Sequence, residues 1–451
     1  MTPAIEKRIV IIGAGPTGLG AAYRLNELAY KNWILYEKNN YVGGLSASFN
    51  DKKSFTWDLG GHVLFSGNRR FNAIFEKLLN NEYLTHERKA FIRAFNRWIP
   101  YPFQNNLRYL PAKNMLECIL GLMKAKKASG AKNFKEWIMC TFGQGVAKYF
   151  MLPHNLKAWA HPLEIMDKGW ISERVSIVNI DKILDNIINE RDDVSWGPNN
   201  TFKFPLHGGT QDIFKRAAVL VNGRINFHHE LTGIDLKRKN LIFKNGVKEK
   251  FDILINTSPI DRLIHSIYPR QEKLCHQANL LLHNSIYIVG VGLKGKCPQD
   301  KCWVYSPEDN TPFFRTTYFS NYSPHNTPEK GKYWSLMCEV TYSKYKPIER
   351  RKIINSVLSG LQKSGMLAEK HLDNIVSLWL MQEDFAYPIP TLGRNGIVSN
   401  LQHFLERNNI FSRGRFGGWK YEIGNMDHSF LQGLEVVDRI LIGEEENVYR
   451  T

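Results

Sequence analysis

The stretch that decides the fold is R-I-V-I-I-G-A-G-P-T-G-L-G-A-A-Y-R-L-N-E-L, Arg8–Leu28. It opens on a continuous apolar, β-branched run, the pattern of a strand buried on both faces. G-A-G-P-T-G follows, Gly13–Gly18, and then a segment of helical period. Strand, glycine turn and helix in that order are the context a dinucleotide-binding fingerprint requires. Gly13 permits the tight turn, Gly15 lets the backbone approach a pyrophosphate, and Gly18 lets the helix pack on the strand. The helix N-terminus then directs unpaired N–H groups and a partial positive charge at the phosphates. An acid is expected about 20 residues further on, to hydrogen-bond a ribose hydroxyl. W-I-L-Y-E supplies it as Glu37, and Y-V-G-G-L-S adds Gly43 and Gly44 for a second close approach of backbone.

A second match, G-V-G-L-K-G at Gly290–Gly295, also follows a strand-like run. What comes next is K-C-P-Q-D-K-C, with a proline and no helical period. No helix N-terminus is available there, so we read a glycine-bearing strand entering a loop. The chain carries one dinucleotide fold, not two.

Working outward, residues 69–79 read as helix. Residues 89–104 read as one alternating strand that runs into the proline-stiffened W-I-P-Y-P-F-Q. Residues 110–190 are mostly helical, broken by Gly143, Pro153 and Pro162. Residues 204–214 form a turn followed by a helix to about Val221, and residues 225–257 form short strands with K-N-G (244–246) as a hairpin turn. Residues 283–342 are rich in strand and aromatic character. A helix near 348–363, a strand near 373–381 and a closing helix from about Asp427 complete the chain. The expected class is α/β, a Rossmann-like domain with an inserted helical domain and an antiparallel-sheet domain. The dinucleotide domain is expected to be discontinuous, at 1–88, 204–257 and 405–451. The helical domain falls at 105–203, and the sheet domain at 89–104 and 258–404.

Composition narrows the class. The chain has 451 residues, a formal net charge of +17 and 43% hydrophobic residues, enough for a packed core. The Lys and Arg are scattered, and the densest run, Lys124–Lys135, reads as a solvated helix end, so an anionic small ligand is favoured over nucleic acid. No apolar run reaches the roughly 18 residues of a membrane helix; Leu280–Leu293 is broken by His283, Asn284 and Ser285. No secretory leader is read at Met1–Arg8. The six cysteines lack metal or redox spacing, so no metal is expected and a reducing cytoplasm is.

Several longer segments are more specific than the fingerprint: G-G-H-V-L-F-S, I-P-Y-P-F-Q-N-N, K-C-W-V-Y-S-P-E-D-N-T-P-F-F-R, F-S-N-Y-S-P-H-N and R-F-G-G-W-K-Y-E-I-G-N-M-D-H-S. With I-I-G-A-G-P-T-G-L-G-A-A and D-H-S-F-L-Q-G-L-E-V-V-D they run nearly end to end, and together they resemble the UDP-galactopyranose mutase family, in its eukaryotic-type branch. The resemblance implies FAD, active when reduced, with NAD(P)H as a candidate reductant. It implies a non-redox interconversion of UDP-galactopyranose and UDP-galactofuranose for cell-surface glycan biosynthesis. In this family flavin N5 attacks the anomeric carbon, UDP leaves, a flavin–sugar iminium opens the ring, and the sugar recloses through another hydroxyl. The chemistry is the cofactor's; the protein supplies position and charge.

Matching positions carry the implied site. Arg174, Arg315, Tyr387 and Tyr421 would hold the diphosphate, a leaving group that needs fixed cations. Tyr101, Phe103 and Gln104 would bind uracil, with Phe150 and Asn155 nearby. Trp159, Asn199, Trp303 and Tyr305 would line the remaining cleft. His62 and Arg415 would sit against the isoalloxazine, with the His62 backbone aimed at N5. Asn425, Met426 and Ser429 would contact the flavin, with Asn425 also reaching substrate. Leu231 would touch the adenine end, and Thr17, Leu45, Gly60 and Gly61 complete the cofactor set. His62, Arg174, Arg315 and Arg415 are thus the candidate catalytic residues.

The sequence departs from the family's pattern at His154, Met426, Gln211–Asp212, Lys420 and Ala90 beside Arg88. Two alternatives stand beside the first reading: a mutase for a related nucleotide sugar such as UDP-N-acetylgalactosamine, and an FAD-dependent amine oxidase-type enzyme. A diphosphate clamp argues against the amine substrate. A flavin-bound protein without activity would be expected to lack His62 or Arg415. An oligomer stays open.

Overall fold

The structure is a computed structural model and describes residues 7–125, 130–171, 179–194 and 200–450. Strand Ile9–Ile12 is buried along its length and lies at the centre of a five-stranded sheet. The order is Ile410–Ser412, Ile253–Asn256, Ile9–Ile12, Trp33–Tyr36 and Ile225–Asn226. Every neighbour is parallel. Strands from distant parts of the chain therefore build one dinucleotide-type sheet, as the interrupted pattern implies.

Helix Pro16–Glu27 follows the fingerprint turn and packs against the closing helix Met426–Ile442. The contact is backbone on backbone. A Cβ on Gly20 would stand 2.2 Å from the Phe430 carbonyl oxygen, and one on Gly433 would stand 2.0 Å from that of Thr17. Side chains at either position would force the helices apart, so these glycines bring the first turn of the closing helix beside the fingerprint.

A seven-stranded sheet forms the second layer, in the order Ile375–Pro388, His283–Lys294, Tyr333–Tyr342, Arg315–Tyr318, Trp303–Tyr305, Ala90–Ala94 and Arg97–Pro100. It is antiparallel except where Trp303–Tyr305 runs parallel to Ala90–Ala94. The rejected second fingerprint lies in its long strand His283–Lys294. A Cβ on Gly290 would lie 2.7 Å from the Trp57 ring, and one on Gly292 would lie 2.6 Å from the Phe55 ring. These glycines make room for two indole- and phenyl-sized neighbours, not for a phosphate.

Three local expectations change. Residues 89–104 contain a hairpin rather than a single strand, because Phe95 and Asn96 take positive φ of 54° and 56°. Two such residues reverse a strand in a tight turn. The strand expected near 373–381 extends to Ile375–Pro388, paired along His283–Lys294. Helix Arg394–Arg407 was not anticipated; its buried Val398, Leu401 and Leu405 do carry helical spacing.

The helical region contains Ala112–Met123, Phe134–Val146, Leu152–Trp159 and Ile180–Ile188. One buried core joins Val10, Ile12 and Tyr36 to Ile260, Leu263, Cys275, Val398 and Leu405. On that packing we propose that the dinucleotide domain also takes in helices Ile260–His265, Glu272–Ala278 and Arg394–Arg407. The six cysteines are free. Among the described residues no helix is long and apolar enough to cross a membrane, and no cluster of three or more metal-ligating side chains occurs.

Candidate active site

The fingerprint turn has the geometry of a phosphate cradle. Gly13 has φ +97°, and its N–H donates to the Tyr36 carbonyl at 2.8 Å. A Cβ on Gly18 would stand 1.8 Å from the Gly13 carbonyl oxygen, so helix and turn are as close as glycine allows. Gly15 caps the helix with no side-chain hydrogen bond, which leaves the first turn open to an anion. The Gly43 N–H donates to Ala14 O at 2.8 Å, and a Cβ on Gly44 would lie 3.2 Å from the Gly15 Cα.

Glu37 is buried at the end of its strand. Its carboxylate accepts from the N–H groups of Ala14 at 2.7 Å and Asn39 at 2.9 Å. The acid therefore braces the turn, and each oxygen keeps a lone pair for a ribose hydroxyl. Gln211 adds a latch the sequence reading missed: its Nε2 donates to Val42 O at 2.6 Å, beside Gly43. Thr17 and Ser429 are buried in the first turns of the two packed helices. These features fit FAD: an open cradle for a pyrophosphate and an acid for a ribose.

Beyond the cradle lies a cavity of about 1490 Å³. Helix Leu152–Trp159, the seven-stranded sheet and the segment Arg415–His428 enclose it. Leu45, Gly60, Gly61, His62, Tyr101, Gln104, Phe150, Asn155, Trp303, Tyr305, Arg315, Tyr387, Arg415, Tyr421, Asn425 and Met426 line it. Phe103 does not: it is fully buried and stacks behind Phe150, ring centroids 5.1 Å apart. Trp159 stands behind Tyr421 at 4.7 Å. Leu231 is not part of the cavity lining; it opens strand Leu231–Asp235 and packs on the core that includes Ile12 and Tyr36 of the dinucleotide sheet. Arg174 and Asn199 lie outside the described residues.

Among the guanidinium groups lining the cavity, those of Arg315 and Arg415 are fixed by the fold. Arg315 is paired in two-pronged fashion with Glu339, Nε to Oε1 at 2.6 Å and Nη2 to Oε2 at 2.8 Å. Burial alone would lower the Arg315 pKa; the Glu339 carboxylate outweighs it and holds the cation well above its ordinary value. The Gly61 N–H also donates to Glu339 Oε1 at 3.1 Å, tying the G-G-H turn to the same carboxylate. Arg415 donates from Nε to Gly424 O at 2.9 Å and lies 5.7 Å from the Tyr387 ring centroid. Tyr387 and Tyr421 meet edge to face at 5.5 Å.

His62 is uncharged here. Burial first, then the neighbouring Arg415 and Arg315, push its pKa down to about 3. Its Nδ1 is buried without a hydrogen-bond partner, and so are His154 Nδ1, Trp170 Nε1 and Trp303 Nε1. All four belong to residues lining the cavity. Buried polar atoms are rarely left unpaired, so their gathering marks a place where a polar ligand completes the structure.

One side of the cavity is an aromatic wall. Phe150 and His154 stack at 5.0 Å, and Tyr305 meets His154 at 4.9 Å and Tyr101 at 5.1 Å. His154 lies flat on Phe150, its ring tilted only 8° from it. Asn155 donates to Met151 O at 2.7 Å and accepts from Trp159 Nε1 at 3.2 Å, which fixes its amide.

Sequence reading overlooked two supporting residues. Glu339 is an acid inside the otherwise apolar W-S-L-M-C-E-V-T, a visible anomaly. Asn284, noticed only as a break in an apolar run, is fully buried; it accepts the Tyr387 N–H at 2.8 Å and donates to Trp159 O at 3.1 Å.

Fold and site together define a protein with a Rossmann-type dinucleotide cradle and an adjoining aromatic, cationic cavity. Residues 11–78 match the family described as NAD(P)-binding Rossmann-like domain. A solved structure of reduced UDP-galactopyranose mutase superposes with a TM-score of 0.95 at 41% identity, covering 99% of this chain and 96% of that one. A protein of Exiguobacterium sp. 255-15 described as a protoporphyrinogen oxidase has a TM-score of 0.73 at 16% identity, covering 97% of this chain and 99% of that one, and shows the fold alone. The 4,4'-diaponeurosporene oxygenase of Staphylococcus haemolyticus (strain JCSC1435) is 36% identical over 89 residues, 18% of this chain and 16% of that relative. The chain belongs to the UDP-galactopyranose mutase family.

Proposed function

We propose that this chain is a flavin-dependent UDP-galactopyranose mutase, an isomerase that interconverts UDP-galactopyranose and UDP-galactofuranose without net redox change. The observation that carries the reading is the Arg315–Glu339 pair in the cavity wall, with Arg415, Tyr387 and Tyr421 around the same space. Fixed cations and phenol hydroxyls suit a diphosphate that must leave and return.

Reduced FAD, held by the cradle, would supply the nucleophilic chemistry toward the sugar. The chain does the rest. Gly13, Gly15 and Gly18, with Glu37 and Gly43–Gly44, seat the cofactor; Asn425, Met426 and Ser429 meet it at the start of the closing helix. Arg315, Arg174, Tyr387 and Tyr421 bind the diphosphate. Tyr101, Gln104, Phe150, His154 and Asn155 take uracil, with Phe103 supporting from behind. His62, neutral, and Arg415 face the flavin ring.

Arg88 supports NAD(P)H as the reductant, since its guanidinium stands 5.3 Å from the Tyr101 and Trp303 rings in the same cavity. The six free cysteines support the cytoplasm. Reduced holoprotein given UDP-galactofuranose should form UDP-galactopyranose, resolved by chromatography. No conversion, with conversion of another UDP-sugar, would move the assignment to that sugar.

A further inference from the structure

Lys157 belongs to none of the roles above, yet it is buried, with only 7% of its surface exposed. It lies on helix Leu152–Trp159, between Asn155 and Trp159. Its ammonium donates to Ser306 O at 3.0 Å, to Thr311 Oγ1 at 2.9 Å and to Glu308 O. Burial pushes its pKa down to about 7; in the protonated form all three N–H bonds have acceptors, and no ion pair to a carboxylate occurs among the described residues. A buried cation is costly unless it is fully hydrogen-bonded. Its retention beside two backbone carbonyls and a hydroxyl therefore needs a reason.

The acceptors all lie in one loop, residues 306–311. That loop leaves the strand Trp303–Tyr305 and returns toward Arg315. It is otherwise held by Ser306 N–H on Phe314 O at 3.0 Å and by Phe95 N–H on Glu308 Oε1 at 2.7 Å. The backbone of Lys157 is anchored separately. Its carbonyl accepts from the Thr341 hydroxyl and from Lys346 Nζ at 3.3 Å, and Thr341 lies on the strand that carries Glu339. One residue therefore joins the helix bearing His154 and Asn155, the loop between Tyr305 and Arg315, and the strand bearing Glu339. They carry two sides of the cavity, His154 and Asn155 on the helix, and Tyr305, Arg315 and Glu339 on neighbouring strands of one sheet.

We propose that Lys157 is a positioning residue for nucleotide binding, its ammonium fastening the uracil-side helix to the loop that follows Tyr305. The inference rests on the reading of this cavity as a UDP site. Without the fastening, helix and loop separate, and the His154–Tyr305 contact loses its register. Affinity for the nucleotide then suffers before chemistry at the flavin side, which Lys157 does not touch.

The test uses flavin-loaded protein, UDP as the probe in calorimetry, and steady-state kinetics with the reduced enzyme. Lys157→Met should raise the UDP Kd and the substrate KM about tenfold, the equivalent of ~1.4 kcal/mol. The kcat should stay within about threefold, and flavin absorbance should be unchanged. Thr311→Val, which removes one acceptor together with the hydroxyl's long contacts to Glu308 O and Phe313 O at 3.3 and 3.4 Å, should move Kd and KM the same way by about threefold, the scale of one neutral hydrogen bond; it decides the matter where Lys157→Met fails to fold. Wild-type affinity for UDP in Thr311→Val and in folded Lys157→Met overturns the proposal, as does a fall in kcat at constant Kd. Wild-type protein that does not bind UDP overturns the reading of the cavity itself.

Discussion

Arg315 and Glu339 face each other across adjacent antiparallel strands and share two hydrogen bonds, at 2.6 and 2.8 Å. The Glu339 side chain is 1% exposed and that of Arg315 is 19% exposed, so the acid is buried and the base keeps an open side toward the cavity. Glu339→Gln keeps the shape and removes the charge that fixes the guanidinium. Breaking a buried pair by losing one partner is strongly destabilising. We expect kcat/KM to fall about 100-fold, ~2.7 kcal/mol of transition-state stabilisation, with Arg315→Ala at least as severe. Kinetics near those of the wild type in both variants would remove the pair from the diphosphate site.

His62 makes acid stability measurable. In the unfolded chain it titrates at its ordinary value near 6.5; burial, Arg415 and Arg315 hold it near 3 in the folded protein. Between those values the unfolded chain binds the extra proton, so stability falls as pH drops through that window. His62→Asn should therefore lose less thermal stability than the wild type between pH 7 and pH 5. Equal losses in parallel melts would mean that His62 is not held neutral.

The backbone contact between helices Pro16–Glu27 and Met426–Ile442 predicts a steric effect. Gly433→Ala places a methyl where the Thr17 carbonyl oxygen lies 2.0 Å away. Overpacking of this kind costs about 1–3 kcal/mol. The melting temperature and the flavin-to-protein ratio should fall together. A variant with unchanged melting and full flavin would show that the helices can separate freely.

The Gln211 amide holds Val42 O at 2.6 Å, beside the Gly43–Gly44 turn. Gln211→Gly should loosen the Gly43–Gly44 segment and weaken FAD retention by about fivefold, the scale of one buried hydrogen bond. Flavin release during gel filtration measures it; retention equal to the wild type would leave Gln211 a bystander.

Much of this could be read in the chain because the signals are local. Gly13–Gly18 and Glu37 lie within one strand–helix–strand unit, and their spacing is the geometry. Gly290 and Gly292 were correctly denied a phosphate because no helix follows them. What lies across the fold was harder to read. Phe103 is next to Gln104 and Trp159 lies one helical turn from Asn155, yet they turn behind Phe150 and Tyr421, a choice made by packing rather than pattern. Glu339, Asn284 and Lys157 act on residues far away in the chain, so no spacing rule finds them. Phe95 and Asn96 reversed a segment that alternation alone reads as continuous strand.

The central claim is a non-redox isomerisation that needs reduced flavin. The direct measurement follows UDP-galactofuranose against oxidised and dithionite-reduced holoprotein, anaerobically, with the flavin absorbance recorded throughout. The account predicts many turnovers per flavin in the reduced state, flavin still reduced at the end, and no conversion in the oxidised state. Equal conversion in both states, or product limited to one equivalent per reduced flavin, would contradict it.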